Sequence, residues 1–133
     1  MKPIMIIVGE KLNSSIPRTL AALQAWDTET LVSLIEFQQL EGAQYLDLNT
    51  AMCEQREQEL LIQLVQLVQE HSSCGIMLDS TSVQVLSAAA AHVKGRPLIF
   101  NSLTLSDRFE PVCQLARSMA SALWPAHRHR HAP

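Results

Sequence analysis

The sequence predicts an α/β chain, four strand–helix units in succession on one parallel sheet. Short apolar runs, aliphatic or β-branched, recur along the chain and are bounded by glycine, proline or polar residues. Each is followed by a stretch of helical periodicity, the alternation that builds a parallel sheet. Each run also ends abruptly on a carboxylate or carboxamide, most clearly in Gly75-Ile76-Met77-Leu78-Asp79-Ser80-Thr81. Chemistry in such folds sits at the C-terminal ends of the strands. Asp79 is therefore the residue from which a site is built.

The first strand is read in Ile4 to Val8, five apolar residues closed by Gly9-Glu10 and expected to be fully buried. A polar loop with Asn13, Ser14, Ser15 and Pro17 follows, with a short helical turn at Arg18 to Leu23. Asp27 or Thr28 caps a helix running to about Glu41, its apolar face Leu31, Leu34, Ile35 and Leu40, and Gly42 is the stop. Tyr45 to Asn49 is the second strand. Glu54, Glu57 and Glu59 then suit the dipole of a long helix as a solvated start, and Leu60, Leu61, Leu64, Val65 and Val68 are its buried stripe.

Gly75 to Asp79 is the third strand, and a helix from about Ser82 to Val93 turns Val85, Leu86, Ala89 and Ala90 inward. Lys94-Gly95-Arg96 reverses the chain into a fourth strand, Pro97 to Asn101. Ser106 caps a last helix with Phe109, Val112, Cys113, Ala116, Met119 and Leu123 on one face. Residues 124–133 differ in kind. They carry His127, Arg128, His129, Arg130 and His131 without periodicity, and read as a disordered tail, with a transition-metal site as the alternative. The domain organisation is thus a unit over 1–123 and a His/Arg-rich tail over 124–133.

The 133 residues suffice for one domain with its own core, and 47% hydrophobic with 17% charged residues fits a soluble globular chain. A net charge of −3 offers nothing to nucleic acid or an anionic membrane. No apolar run approaches the roughly 20 residues of a membrane helix, and the N-terminus lacks the pattern of a signal peptide. Cys53, Cys74 and Cys113 are odd in number with no CxxC spacing, which points to buried free thiols in a reducing cytoplasm and away from disulfides or zinc. His71 and His92 fall late in helices, where the dipole favours a solvated role. Ser80 and Thr81 have no histidine in a companion motif and are expected to cap or line a loop.

The polar strand ends are Glu10 with Asn13, Asp47 with Asn49, Asp79, and Asn101 with Ser102. Any one of them serves as a helix cap. Four in succession open on one face of the sheet and define a shared binding face. Neither GxGxxG nor GxxxxGK occurs, and Lys11 is the basic residue close to a strand end, so a phosphate site is disfavoured. Carboxylates with carboxamides suit a neutral heterocycle rich in N–H donors, because one carboxylate accepts two parallel bonds. A pterin ring presents such an edge.

Gly9-Glu10-Lys11-Leu12-Asn13, Leu46-Asp47-Leu48-Asn49, Leu78-Asp79-Ser80-Thr81 and Asn101-Ser102, in this order, resemble the pterin-binding barrels. Over about residues 4 to 116 the chain is similar to the N-terminal half of a methyltetrahydrofolate–corrinoid methyltransferase, and more distantly to dihydropteroate synthases. The latter usually follow this Asp with a glycine-rich loop, where this chain has Leu48-Asn49-Thr50-Ala51.

The resemblance implies half of a TIM-type (β/α)8 barrel. It implies a pterin pocket of Asp79 and Asn101, lined also by Asn13, Asp47, Asn49 and Ser102. It implies 5-methyltetrahydrofolate as substrate and a cobalamin or other corrinoid on a partner protein whose cobalt takes the methyl group. No position matches the family's group acting near N5, so the catalytic residue is left unassigned. A closed barrel needs at least about 200 residues, so four units are expected to be a truncated or frameshifted frame. A pterin-binding module without independent catalysis and a dihydropteroate synthase-like protein are therefore the alternatives. The open first and fourth strands are expected to drive homo-oligomerisation.

Overall fold

The structure, a computed structural model, describes residues 5–101. The expected last helix, the His/Arg-rich tail, Ser102 and Cys113 lie outside the described residues. Four strands, β1 (Val8–Gly9), β2 (Tyr45–Leu48), β3 (Gly75–Leu78) and β4 (Leu98–Phe100), form one sheet in chain order, and every pairing is parallel. The helices α1 (Pro17–Ala25) and α2 (Thr28–Leu40) connect β1 to β2, α3 (Glu57–His71) connects β2 to β3, and α4 (Val83–Ala90) connects β3 to β4. This is the order of strands and helices in one half of a (β/α)8 barrel. No described helix is long and apolar enough to cross a membrane.

Strand alternation decides which side of the sheet becomes the core. Leu46, Leu48, Ile76 and Leu78 are fully buried, in one cluster with Leu60, Leu61, Leu64, Val65 and Val68 of α3 and Val85, Leu86, Ala89 and Ala90 of α4. Burial of each large aliphatic side chain contributes roughly 1.5–3 kcal/mol, which dominates over the propensity of any helix here. The intervening strand positions, Asp47 and Met77 among them, belong to the opposite face of the sheet. Ser82 caps α4 by accepting from the Val85 N–H, and Asp27 caps α2 by accepting from the Thr30 N–H.

Several expectations change. Of the strand expected at Ile4 to Val8, the described residues 5–8 are not fully buried: only Val8–Gly9 pair as β1, and Met5 is 73% exposed with Ile6 and Ile7 also open. β1 has a neighbour on one side only among the described residues, so its apolar residues are not covered as those of β2 and β3 are. The turn expected at Arg18 to Leu23 is a full helix, started by Pro17 in its first turn and closed by Trp26 in the left-handed region at φ 49°. Leu40 is 86% exposed instead of packing inward, because the buried face of α2 runs through Leu31, Ile35 and Gln38.

Gln38 earns that position by hydrogen bonding. Its Oε1 accepts from the Lys11 N–H at 3.0 Å and its Nε2 donates to the Leu34 carbonyl at 3.1 Å. A Cβ at Gly9 would collide with Gln38 Oε1, so glycine lets the end of β1 pass without displacing this clamp. A 3₁₀ turn over Ala51–Arg56 precedes α3, so the helix starts at Glu57 and not at Glu54, which instead holds φ 55° and ψ −114° at the junction.

Candidate functional site

The register of the sheet places the strand-end residues in one row. Leu48 is level with Leu78 and Leu78 with Phe100, so the next residues, Asn49, Asp79 and Asn101, stand side by side. The ladder continues through them, with the Asp79 N–H donating to the Leu48 carbonyl at 3.0 Å and the Asn101 N–H to the Leu78 carbonyl at 2.9 Å. An isolated parallel bridge joins Asn13 to Asn49. Four predicted residues, one from each βα unit, thus form a line across the C-terminal edge of the sheet. Asp47 lies two residues below Asn49 on the same face of β2.

Local hydrogen bonds determine what each side chain can still offer. Asn13 Oδ1 accepts from the Ser15 N–H at 2.8 Å and the Ser15 hydroxyl at 2.7 Å. Asn49 Oδ1 accepts from the Ser14 hydroxyl at 2.9 Å and the Ala51 N–H at 2.9 Å. A carboxamide oxygen has two lone pairs, and in both residues both are used. What Asn13 and Asn49 present beyond their own loops is therefore the N–H donor end. Ser14 in turn accepts from the Met52 N–H at 3.0 Å, tying the loop after β1 to the loop after β2.

The acceptors are the carboxylates. Asp79 is half-buried at the end of β3. Asp47 is 4% exposed, and its Oδ1 has no hydrogen-bond partner. Burial foremost, then the charge of Asp79 and that of Glu10, raise Asp47 to about 7 from an ordinary 3.8, with a hydrogen bond to Asp79 acting in the same direction. At neutral pH much of Asp47 is a carboxylic acid. The row thus combines donors at Asn13 and Asn49, an acceptor at Asp79, and below it a carboxyl group with an orphaned oxygen.

Three further side chains support this edge, Ser80 in the loop role expected of it and Glu57 and Thr50 in roles that were not expected. Ser80, buried as a loop or capping residue should be, donates to Glu57 Oε2 at 2.8 Å and accepts from the Ser82 N–H at 3.0 Å. Glu57 is thus not a purely solvated helix start: it fixes the loop after β3 to the first turn of α3, whereas Glu54 and Glu59 are exposed. Thr50, fully buried, donates to the Glu57 carbonyl at 2.8 Å. The Ser80–Ser82 spacing is a serine-turn signature legible in the sequence. The Glu57 contact spans 23 residues and is not.

Cys53 and Cys74 are free, buried thiols, as expected. His71 ends α3, with Glu36 at 3.8 Å. Among the described residues no group of three or more His, Cys, Asp or Glu is arranged to hold a metal ion. A separate surface depression is lined by Arg18, Ala21, Ala22, Ala25, Asp27 and Thr30 of α1, α2 and their junction, and includes none of the strand-end residues.

Fold and edge together define an α/β protein of successive βα units whose strand ends bring carboxamides and carboxyl groups into one row. The chain belongs to the pterin binding enzyme family, whose model matches residues 9–131. The match extends past the stretch of about 4 to 116 on which the sequence motifs rest. The methylcorrinoid:tetrahydrofolate methyltransferase of Eubacterium limosum is 31% identical over 100 residues, which cover 75% of this chain and 36% of that protein. The chain thus spans about a third of the length of this curated relative.

Proposed function

We propose that the strand-end row binds the pterin ring of a tetrahydrofolate, within a methyltransferase that moves a methyl group between the folate N5 and the cobalt of a corrinoid. The observation that carries this reading is the division of the edge into N–H donors at Asn13 and Asn49 and a carboxyl acceptor at Asp79, with the buried carboxyl of Asp47 below it. A pterin has a matching edge. Its ring amide and exocyclic amine are adjacent donors for one carboxylate, and its remaining heteroatoms are acceptors for carboxamides. Asp79 takes the donor edge in this assignment, with Asn101 beside it and Ser102 next in the chain.

The corrinoid is carried by a partner protein in this reading and supplies the cobalt that accepts or gives the methyl group. The residues of this chain contribute by holding the ring and orienting N5, which is catalysis by positioning. A dihydropteroate synthase-like activity is the less favoured reading. The loop after β2 runs through Asn49 and the buried Thr50 into a 3₁₀ turn over Ala51–Arg56, where the synthases usually carry a glycine-rich loop.

Calorimetric titration with 5-methyltetrahydrofolate tests the assignment. The parent chain binds, and Asp79→Asn weakens binding by at least ~30-fold, because an amide accepts at one atom only and leaves a pterin donor unpaired. Equal affinity of the two proteins would remove Asp79 from the site.

A further inference from the structure

Asp47 Oδ1 and Arg96 Nε are the two buried side-chain polar atoms without a partner among the described residues. Arg96 is otherwise engaged, donating through its terminal nitrogens to the carbonyls of Gln69, Ser72 and Cys74 and so bracing the turn into β3. Asp47 has no such structural task. It stands on β2 level with Met77, and Asp79 follows two residues later on the same face of β3. The two residues are thus diagonal neighbours on adjacent strands, about 7–8 Å apart at the backbone, close enough for a hydrogen bond between their carboxyl groups.

We propose that Asp47 is a positioning residue, remaining protonated and donating its O–H to Asp79 so that the Asp79 carboxylate is held towards the pterin as the pair's single negative charge. This deepens the pterin reading and rests on it. Two adjacent carboxyl groups, one of them buried, cannot both ionise cheaply, and the one in the drier setting keeps the proton. Asp47 is nearly fully buried and Asp79 half-buried, which assigns the proton to Asp47. The charged groups facing Asp47 are Asp79 from the end of β3 and Glu10 from the end of β1, both acidic, and both favour retention of the proton. A lone Asp79 side chain has freedom at its terminal torsion, and the donated bond removes it.

The consequence is a proton linked to ligand binding. As pH rises through the neutral range the pair becomes doubly charged, Asp79 is pushed away, and affinity for 5-methyltetrahydrofolate falls. Calorimetry at a series of pH values with the parent, Asp47→Asn and Asp47→Leu tests this. The parent should lose at least ~5-fold in affinity between about pH 6 and about pH 8.5. Asp47→Asn keeps an N–H donor that cannot ionise, so it should bind like the parent at the lower pH and change less than ~2-fold across the range. Asp47→Leu should bind at least ~10-fold more weakly at every pH.

An Asn variant with the parent's pH slope, or one as weak as the Leu variant, overturns the proposal. Carbon-13 NMR titration of the carboxyl groups in the ligand-free protein gives a second readout. A midpoint near 7 for Asp47 that falls in Asp79→Asn supports the pair, and an ordinary midpoint overturns it. A parent that shows this titration yet binds no 5-methyltetrahydrofolate at any pH leaves the pair intact and rejects the pterin reading alone.

Discussion

Replacing Asp47 by Asn should stabilise the ligand-free protein at pH 8 and flatten its pH dependence. In the unfolded chain this carboxyl titrates at 3.8, and in the fold at about 7. The folded state therefore binds more protons than the unfolded state between those values, and stability falls as pH rises through that window. The contribution is fully present below the unfolded value and is lost by the time pH passes about 7. Each unit of displacement corresponds to about 1.4 kcal/mol, which sets an upper bound of about 4 kcal/mol. Water reaching the half-buried Asp79 screens part of it, so roughly 2–4 kcal/mol is expected. Urea denaturation of parent and Asp47→Asn from about pH 4 to about pH 8 measures the difference directly, because titrations elsewhere cancel between the two proteins. Asp27, held below its ordinary value first by the side-chain hydrogen bond with Thr30, contributes a slope of the opposite sign common to both. If the two proteins keep a constant stability difference across this range, Asp47 does not carry the proton in the fold.

Two further outcomes follow from the backbone and the sheet edge. Glu54 holds a positive φ and sits exposed within the 3₁₀ segment before α3, so Glu54→Gly should raise stability by about 1 kcal/mol, read as a higher urea midpoint at unchanged slope. Exposed Met5, Ile6 and Ile7 along the open side of β1 should promote self-association, and sedimentation at micromolar concentration should report a mass above that of one 14.8 kDa chain, with a monomer contradicting it.

The strand order, the parallel pairing and the buried stripes of α3 and α4 were legible in the sequence because period and apolar content dictate them locally. Row formation at the strand ends was legible too, since successive βα units must place their loops on one side. The reading failed where a neighbour decides the outcome. The run from Ile4 to Val8 was expected both to be fully buried and to be open on one side; among the described residues β1 has one neighbour, and Met5 to Ile7 are exposed. Periodicity places Leu40 inward, but Gln38 takes the buried position because its amide satisfies the Lys11 N–H. Pro17 and the left-handed Trp26 delimit α1, and the sequence reading used neither as a boundary. At the site, Asp79 and its neighbours in the row could be named from their positions. The upward shift of Asp47 beside Asp79 and Glu10 and the bond from Ser80 to Glu57 arise between distant segments, and no local pattern encodes them.

The central claim is that the C-terminal edge of the sheet is where a pterin binds. Backbone amide mapping by NMR, during addition of 5-methyltetrahydrofolate to the isotopically labelled chain, tests it most directly. Shifts are expected to be confined to Glu10 to Ser14, Asp47 to Ala51, Asp79 to Ser82 and Asn101. Shifts centred instead on Arg18, Asp27 and Thr30 at the depression between α1 and α2, or no shifts at saturating folate, would contradict it.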